Sequence, residues 1–229
     1  MHTIEHDVER PDRDAVAAFE EIPSTVVSDV TGNVGLTMDA GLSPVADGTD
    51  LAGTAITVKA APGDNLIIHK AITMAEPGDV LVIDCDGYTD VGHIGELMCE
   101  SCRAHGLAGL VIDGGYRDCR EIAEMEFPVY GRGVNPQGPL KQDPGSVNVT
   151  IVCGGVSVDP GDIIVGDDDG LAVIPSDGAE EVLELARAKV ESEDAVREEI
   201  QDGTYLFERN GYDELFENLD VVGPEDSIQ

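Results

Sequence analysis

The chain has 229 residues, of which 41% are hydrophobic and only 4% aromatic, with no tryptophan. This length and apolar content suit one globular domain, or one domain with a tail, with a core of aliphatic side chains. Lys and Arg total 13 against 47 Asp and Glu, which gives a formal net charge of −34. This strongly negative charge repels nucleic acids and anionic membrane surfaces. We therefore expect no nucleic-acid or membrane partner.

The acidic residues are spread along the whole chain, which indicates an acidic surface rather than an acidic tail alone. Such a surface is typical of a halophilic cytoplasm, where salt screens the repulsion between carboxylates. We therefore predict that the free energy of unfolding rises with salt concentration. Urea unfolding at low and at molar KCl measures this, and full stability and activity near zero salt would contradict the prediction.

The start of the chain lacks a basic segment followed by an apolar stretch, so we expect no signal peptide. No apolar run approaches the roughly 20 residues that a membrane span needs. The five cysteines are an odd number, which favours reduced thiols over a disulfide framework. Together these features predict a cytoplasmic protein.

In chain order, the first predicted elements are two helices, a strand and a third helix. The helices cover 14–21, 25–31 and 65–75, and Ser24 is the expected N-cap of the second. The strand covers 53–60, where polar and apolar residues alternate.

The middle of the chain predicts a βαβ unit, with strands over 79–84 and 107–112 and a helix over 94–105 between them. Both strands are almost entirely apolar, which is typical of parallel strands buried on both faces. A short helix over 118–124 and a strand from Phe127 follow.

Short apolar runs separated by acidic turn sequences predict an antiparallel β region over 147–175. A long helix over 176–201, capped by Ser176, follows this region. We therefore predict an α/β fold with a mixed sheet or two packed sheets. Its single catalytic domain covers 1–203, and an acidic C-terminal tail covers 204–229.

In a parallel βαβ unit, ligands bind beyond the carboxyl ends of the strands. Two loops, 85–95 and 113–117, leave those ends here and should lie side by side. Each loop leads into a helix N-terminus, whose free N–H groups favour an anion. Glycines let the backbone approach a ligand closely, and these loops contain Gly92, Gly95, Gly114 and Gly115. The loops therefore predict a small site for an anionic ligand.

Three charged residues, Glu96, Arg117 and Asp118, lie at this predicted edge. An arginine beside a glycine turn can bind a carboxylate or stabilise an oxyanion; the alternative is a structural ion pair with a neighbouring acid. Asp118 can equally be a helix N-cap, and Glu96 an ordinary first-turn carboxylate. Their presence at one edge favours a functional site over these separate structural roles.

With these residues the chain resembles the RraA-like family, which includes 4-hydroxy-4-methyl-2-oxoglutarate/4-carboxy-4-hydroxy-2-oxoadipate aldolases and the regulator of ribonuclease E activity A. The twenty residues between Glu96 and Arg117-Asp118 match the spacing of the aldolase signature. Further similarities occur in order over about residues 20–200: Gly95-Glu96-Leu97-Met98, Asp113-Gly114-Gly115-Tyr116, Ser28-Asp29, Pro62-Gly63-Asp64-Asn65, Pro77-Gly78-Asp79-Val80, Gly154-Gly155-Val156, Pro160-Gly161-Asp162 and Asp168-Asp169-Gly170. The resemblance implies an RraA-like layered sandwich.

The resemblance also implies a class II aldolase, which cleaves 4-hydroxy-2-oxo acids to pyruvate and decarboxylates oxaloacetate through a pyruvate enolate held at a divalent metal. Asp118 would bind Mg²⁺, Mn²⁺ or another divalent cation, and Arg117 would stabilise charge on the keto oxygen. Glu96 would help to position a water for proton transfer. The substrate would be held by the backbone of Gly95, Glu96, Leu97 and Met98.

A further acid is implied from a neighbouring subunit, in the long C-terminal helix. Alignment with the family places it at Glu193, with Glu191, Glu198 and Glu199 as alternatives. A site shared in this way implies a homotrimer, or a hexamer of two trimers, with sites at subunit interfaces. The family also implies an alternative function, a non-catalytic regulator that contacts an RNA-processing enzyme. A pure regulator has no chemical need for Glu96 with Arg117 and Asp118, which favours the lyase.

Other candidate sites are weaker. Cys99 and Cys102 form a CxxC within a predicted helix, without a partner pair, so we expect small buried residues rather than a zinc or redox site. The acidic run 167–169 favours a hairpin turn over a calcium loop. His93 lies in a predicted site loop and can contact substrate there, whereas His69 has an expected structural or interface role.

Overall fold

The computed structural model describes residues 2–32 and 36–219. The chain divides into two compact units, Met1–Arg187 and Ala188–Gln229. This division falls inside the long C-terminal helix, whereas the predicted boundary between domain and tail follows that helix and stays a prediction. Within the described ranges, no helix is both long and apolar enough to cross a membrane.

The strands, in chain order, are β1 (Ser43–Pro44), β2 (Leu51–Lys59), β3 (Asp79–Tyr88), β4 (Gly109–Tyr116), β5 (Val129–Val134), β6 (Ser146–Val147), β7 (Ile151–Cys153), β8 (Val156–Val158), β9 (Ile163–Asp167) and β10 (Gly170–Ile174). The helices are α1 (Arg13–Ala17), α2 (Ser24–Val30), α3 (Leu66–Ile72), α4 (Glu96–Ala104), α5 (Cys119–Glu124), α6 (Ala179–Gln201), α7 (Leu206–Arg209) and α8 (Tyr212–Glu217). A 3₁₀ turn, Ser176–Gly178, precedes α6.

The main sheet is mixed, with the order β1-β5-β4-β3-β2-β9-β10 and β6 paired to β2. Its centre is parallel, because β2 pairs with β3, β3 with β4, and β4 with β5 in that sense. The flanking pairs are antiparallel, and β7 and β8 form a separate hairpin. The α/β class, the parallel β3–α4–β4 unit, the antiparallel region and the long C-terminal helix are therefore confirmed.

The sheet separates two apolar cores. On one face, β-strand residues such as Ile83 and Ile112 pack against α3, α4 and α5. On the other face, Val82 and Val111 pack against the β7–β8 hairpin. Successive side chains of a strand point to opposite faces. Strands β3 and β4 are therefore buried on both faces, which is why their sequences are almost continuously apolar.

The two strands that lead to the site are longer than predicted. The sequence predicts loops from Cys85 and Asp113, but β3 continues to Tyr88 and β4 to Tyr116. Gly114 explains part of this extension, since a Cβ atom there would lie 2.9 Å from the Cβ of Cys85. A missing side chain lets the ends of the two strands pack closely and continue their pairing.

Both predicted serine caps are wrong. Ser24 is the first residue of α2, and its N–H and hydroxyl donate to the carboxylate of Asp167 at 2.8 and 2.6 Å. Ser176 begins the 3₁₀ turn without a side-chain cap, and its N–H donates to Asp162 at 3.3 Å. In both cases a carboxylate from the antiparallel region provides a tertiary partner that local sequence does not reveal.

Candidate active site

The two predicted site segments lie side by side. Beyond β3, the N–H of His93 donates to the carbonyl of Gly115 at 2.9 Å, and the N–H of Arg117 donates to the carbonyl of Ile94 at 3.0 Å. The segment after β3 thus continues to pair with the end of β4. As a result, Gly95 and the N-terminus of α4 are held beside Arg117.

Asp118 connects the starts of two helices. It occupies the N-cap position of α5 with a left-handed φ of 60°, which aspartate adopts more readily than most residues. Its side chain does not cap α5; instead, Oδ2 accepts a hydrogen bond from the N–H of Glu96, the first residue of α4, at 3.1 Å. Nε of Arg117 lies 3.5 Å from the same oxygen. Oδ1 makes no hydrogen bond within the described residues.

Glycines make room for Arg117 and Asp118. A Cβ atom on Gly95 would collide with Oδ2 of Asp118 and lie 3.0 Å from Cγ and Nε of Arg117. A Cβ atom on Gly92 would lie 2.8 Å from the Cβ of Arg117, and one on Gly138 would lie 3.4 Å from its Nη1. These glycines are needed for space at the site, since none of them has a left-handed φ.

These residues border a cleft of about 400 Å³, a volume that suits a small organic ligand. The predicted site residues that line it are Gly95, Glu96, Leu97, Met98, Arg117 and Asp118. Sequence reasoning missed several other lining residues: Asn65, His69, Glu121 and Lys141. Glu121 could have been found, because it follows Asp118 by one helical turn, whereas the others come from distant segments.

The cleft contains groups of both charges. Arg117 and Lys141, two of only 13 basic residues, line it together with His69. Burial and the nearby Lys141 lower the pKa of His69, which favours the neutral imidazole. The carboxylates of Glu96 and Asp118 line the same cleft. It therefore offers cationic donors to an anionic ligand and carboxylates to a cation.

His93 holds the backbone around the cleft in place. Its side chain is buried, and Nε2 accepts a hydrogen bond from the N–H of Gly63 at 3.0 Å. Nδ1 therefore carries the proton and faces the carbonyl of Gly115 at 3.3 Å. Burial lowers the pKa of this imidazole. Because both nitrogens have protein partners, we assign His93 a structural role rather than the substrate contact that the sequence allowed.

The donor set fits a hard cation that keeps most of its water ligands. Within the described ranges, no three or more His, Cys, Asp or Glu residues are grouped so that they could hold a metal. If such a cation binds here, Asp118 with its unengaged Oδ1 would hold it, since Mg²⁺ is commonly bound by one or two carboxylates. Cys99 and Cys102 are fully buried in the core, which confirms their predicted role as small core residues, and this burial raises the pKa of both thiols to about 12.

Glu193 lies in α6, in the second unit of the chain. Its carboxylate pairs with Lys189 at 3.5 Å and with Arg197 at 3.4 Å. The alternative acid Glu199 pairs with Arg209 at 2.6 Å. The contribution of Glu193 to the site of a neighbouring subunit stays a prediction.

The opposite face of the sheet has a charged row at the same strand ends, formed by Lys59, Asp84, Asp113 and Arg132. Nζ of Lys59 lies 2.7 Å from Oδ2 of Asp84. The guanidinium of Arg132 donates to Asp113 from Nε and Nη2, and to Asp39 from Nη1 and Nη2 at 2.8 and 2.7 Å. The Asp84 and Asp113 side chains are only 6% and 9% exposed. The row therefore neutralises two buried carboxylates.

The charged row also fixes the strands that lead to the site. Oδ2 of Asp113, which also accepts from Nη2 of Arg132, accepts a hydrogen bond from the N–H of Gly154 at 2.8 Å, and this bond attaches the β7–β8 hairpin to β4. The hydrogen bonds from Arg132 to Asp39 and Asp113 raise the pKa of its guanidinium. Asp113 lies in β4, four residues before Arg117. The charged row therefore fixes the end of β4 from the face of the sheet opposite the site.

We expect Gly95→Ala to reduce activity by about 100-fold, because the added methyl group displaces Arg117 and Asp118 from their positions. The matched control is Gly178→Ala, where an added Cβ atom meets nothing within 4 Å. Metal-dependent release of pyruvate, the activity that the family resemblance implies, and thermal unfolding should be measured for both variants. Wild-type activity in Gly95→Ala would show that this close packing is not needed for the site.

Comparisons with known proteins agree with this architecture. A family profile described as "RraA-like: Aldolase/RraA" matches residues 24–173. The chain is 39% identical to a protein of Halalkalibacterium halodurans named "Putative 4-hydroxy-4-methyl-2-oxoglutarate aldolase", over 82% of this chain and 90% of the relative.

Several solved structures are similar to this chain, among them two RraA proteins. One is Streptomyces coelicolor RraAS2, described as an unusual member of the RNase ES inhibitor RraA family, with a TM-score of 0.77, 28% identity, and 83% and 99% of the two chains covered. The other is the RNA-processing inhibitor RraA of Thermus thermophilus, with a TM-score of 0.62, 26% identity, and 68% and 93% covered.

Proposed function

Because this chain belongs to the RraA-like family, we propose that it is a divalent-metal-dependent lyase that releases pyruvate from 4-hydroxy-2-oxo acids and decarboxylates oxaloacetate. The observation that carries the proposal is the position of Arg117 and Asp118 at the N-terminus of α4 within one cleft. The aldolase name of the Halalkalibacterium halodurans relative supports the same class of reaction.

The residues of the cleft divide the chemistry between them. Asp118 would hold a divalent cation, which would supply Lewis-acid polarisation of the substrate's 2-oxo group. Arg117, whose side chain is 43% exposed, donates hydrogen bonds to the oxygen on which negative charge develops. The N–H of Leu97, unpaired within the described residues, is available to the substrate carboxylate at the α4 N-terminus. The half-buried Glu96 positions a water molecule for proton transfer.

We further propose that the protein forms a homotrimer or hexamer with its sites at subunit interfaces. Leu97 and Leu140 are 78% and 60% exposed in the single chain. Leu97 lines the cleft, and Leu140 lies beside Pro139 and Lys141, which also line it. Exposed apolar side chains at this position support a covering subunit. Glu193 of a neighbouring chain is the acid that we expect to enter the site there.

The direct test is the release of pyruvate from oxaloacetate in high salt. We expect metal-stripped protein to show no activity above a buffer blank and added Mg²⁺ to restore activity, since one carboxylate and the substrate bind the cation. Because free Mg²⁺ also promotes this reaction, Asp118→Asn at equal concentration is the control. Folded wild-type protein without metal-dependent activity above that control would eliminate the lyase.

The second candidate is a regulator that binds an RNA-processing enzyme, and the inhibitor names of the two solved relatives favour it. Binding by surface contact does not require a polarised keto group, so it does not require Arg117 and Asp118. Pull-down of a ribonuclease by wild-type protein and by Arg117→Ala distinguishes the two functions. Equal binding by both, in a protein without lyase activity, would favour the regulator.

A further inference from the structure

One wall of the cleft contains a buried amide oxygen with no partner. Asn65 lines the cleft and is only 3% exposed. Its Nδ2 donates to the carbonyl of His93 at 2.8 Å and lies 3.5 Å from Sδ of Met98. Its Oδ1 has no hydrogen-bond partner within the part of the chain that the structure describes. Buried acceptors are normally paired, so this oxygen requires an explanation.

The surrounding protein cannot satisfy this oxygen. Asparagine at a helix N-cap usually accepts a hydrogen bond from the first turn, but Asn65 makes no such bond at the N-cap of α3. The N–H of Leu66 is already bound by Asp64 at 2.9 Å. Exchanging the amide atoms would place the oxygen against the His93 carbonyl, and both nitrogens of the His93 ring have partners. The missing donor must therefore come from outside this wall.

We propose that Asn65 determines specificity by accepting a hydrogen bond from the hydroxyl group on carbon 4 of the substrate. This inference rests on the proposed lyase function. The terminal torsion of asparagine is broad, so Oδ1 can turn towards the cleft that Asn65 lines. A substrate carboxylate has no proton to donate to this oxygen, whereas a hydroxyl has one. Asn65 therefore favours 4-hydroxy-2-oxo acids over oxaloacetate, which lacks the hydroxyl.

The two reactions of the proposed site test this directly. The values of kcat/KM should be measured for cleavage of 4-hydroxy-4-methyl-2-oxoglutarate and for decarboxylation of oxaloacetate, with Mg²⁺ in high salt. In Asn65→Ala we expect cleavage to fall about 10- to 100-fold and decarboxylation to fall less than about threefold, because only the first substrate donates to Oδ1. Equal losses in the two reactions, or no loss in either, would overturn the inference.

A ligand comparison covers the case in which Asn65→Ala is unstable. In wild-type protein, 4-methyl-2-oxoglutarate, which lacks the hydroxyl, should bind at least about 10-fold more weakly than the substrate, and equally strong binding of the two ligands would overturn the inference. The matched control is Asn148→Gly, because Asn148 also has a buried unpaired Oδ1 but does not line the cleft. Its ratio of the two activities should stay at the wild-type value.

The failures of the two proposals are distinguishable. A wild-type protein that catalyses neither reaction would reject the lyase and this inference with it. A wild-type protein that catalyses both, with an unchanged activity ratio in Asn65→Ala, would reject only the role of Asn65.

Discussion

Replacing Arg117 with alanine is expected to lower kcat by about 10²- to 10³-fold, the loss typical of removing a charge-stabilising donor from an active site. The guanidinium lies 3.5 Å from the carboxylate that we assign to the metal, at the rim of the cleft. Its removal leaves the developing negative charge without its hydrogen-bond donor. The free energy of unfolding should change little, because the side chain is 43% exposed.

Two variants make the Arg117 experiment specific. Arg120→Ala removes an exposed arginine of α5, three residues after Arg117 and outside the cleft, so its activity should stay within about twofold of wild type. Arg117→Lys keeps the charge but loses the planar pair of donors, so an intermediate activity is expected. Mg²⁺-dependent decarboxylation of oxaloacetate gives the rates. A wild-type rate in Arg117→Ala would remove this residue from the site.

The largest effect on stability is expected from Arg132→Met. This change leaves Asp113 buried without its cation, beside the buried Asp84. Breaking such a pair should lower the free energy of unfolding by about 2–4 kcal/mol, somewhat less than for a fully buried pair because Arg132 is 22% exposed. Urea unfolding at one fixed salt concentration measures the loss. Urea is preferable to guanidinium, which would also screen the charges.

The control for Arg132 is an exposed ion pair. Arg13 lies 3.3 Å from Glu76, with side chains 68% and 54% exposed, so Arg13→Met should change the unfolding free energy by less than about 1 kcal/mol. Adding Asp113→Asn to Arg132→Met should restore part of the loss, because the second change removes the uncompensated buried charge. Equal stability of wild type and Arg132→Met would show that the charged row contributes no net stability.

Local patterns predicted the centre of this fold because they follow from backbone geometry. Uniformly apolar runs at 79–84 and 107–112 indicated parallel strands, and the helical spacing at 94–105 indicated the crossover. Helix starts were harder, since Ser24 and Ser176 have the right residue type for caps. Their tertiary surroundings provide Asp167 and Asp162 as partners instead.

The sequence by itself determined that Glu96, Arg117 and Asp118 belong to adjacent strand ends, because a βαβ connection places both carboxyl ends on one edge. Family resemblance then suggested their roles. Only the tertiary structure decided that Asp118 binds the start of α4 rather than its own helix. The segment after β3 pairs with the end of β4, and this pairing places the start of α4 beside the start of α5. The carboxylate of Asp118 therefore binds Glu96, although the two residues are 22 positions apart in the sequence.

Tertiary structure alone also decided the remainder of the site. The unpaired oxygen of Asn65 depends on contacts with His93 and Met98, about 30 positions away along the chain. The four residues of the charged row come from four different strands, β2 to β5. Only the register of these strands in the sheet places Asp113 beside Arg132. Sequence periodicity reports which face of an element is buried, but it contains no information about which distant polar group is packed against that face.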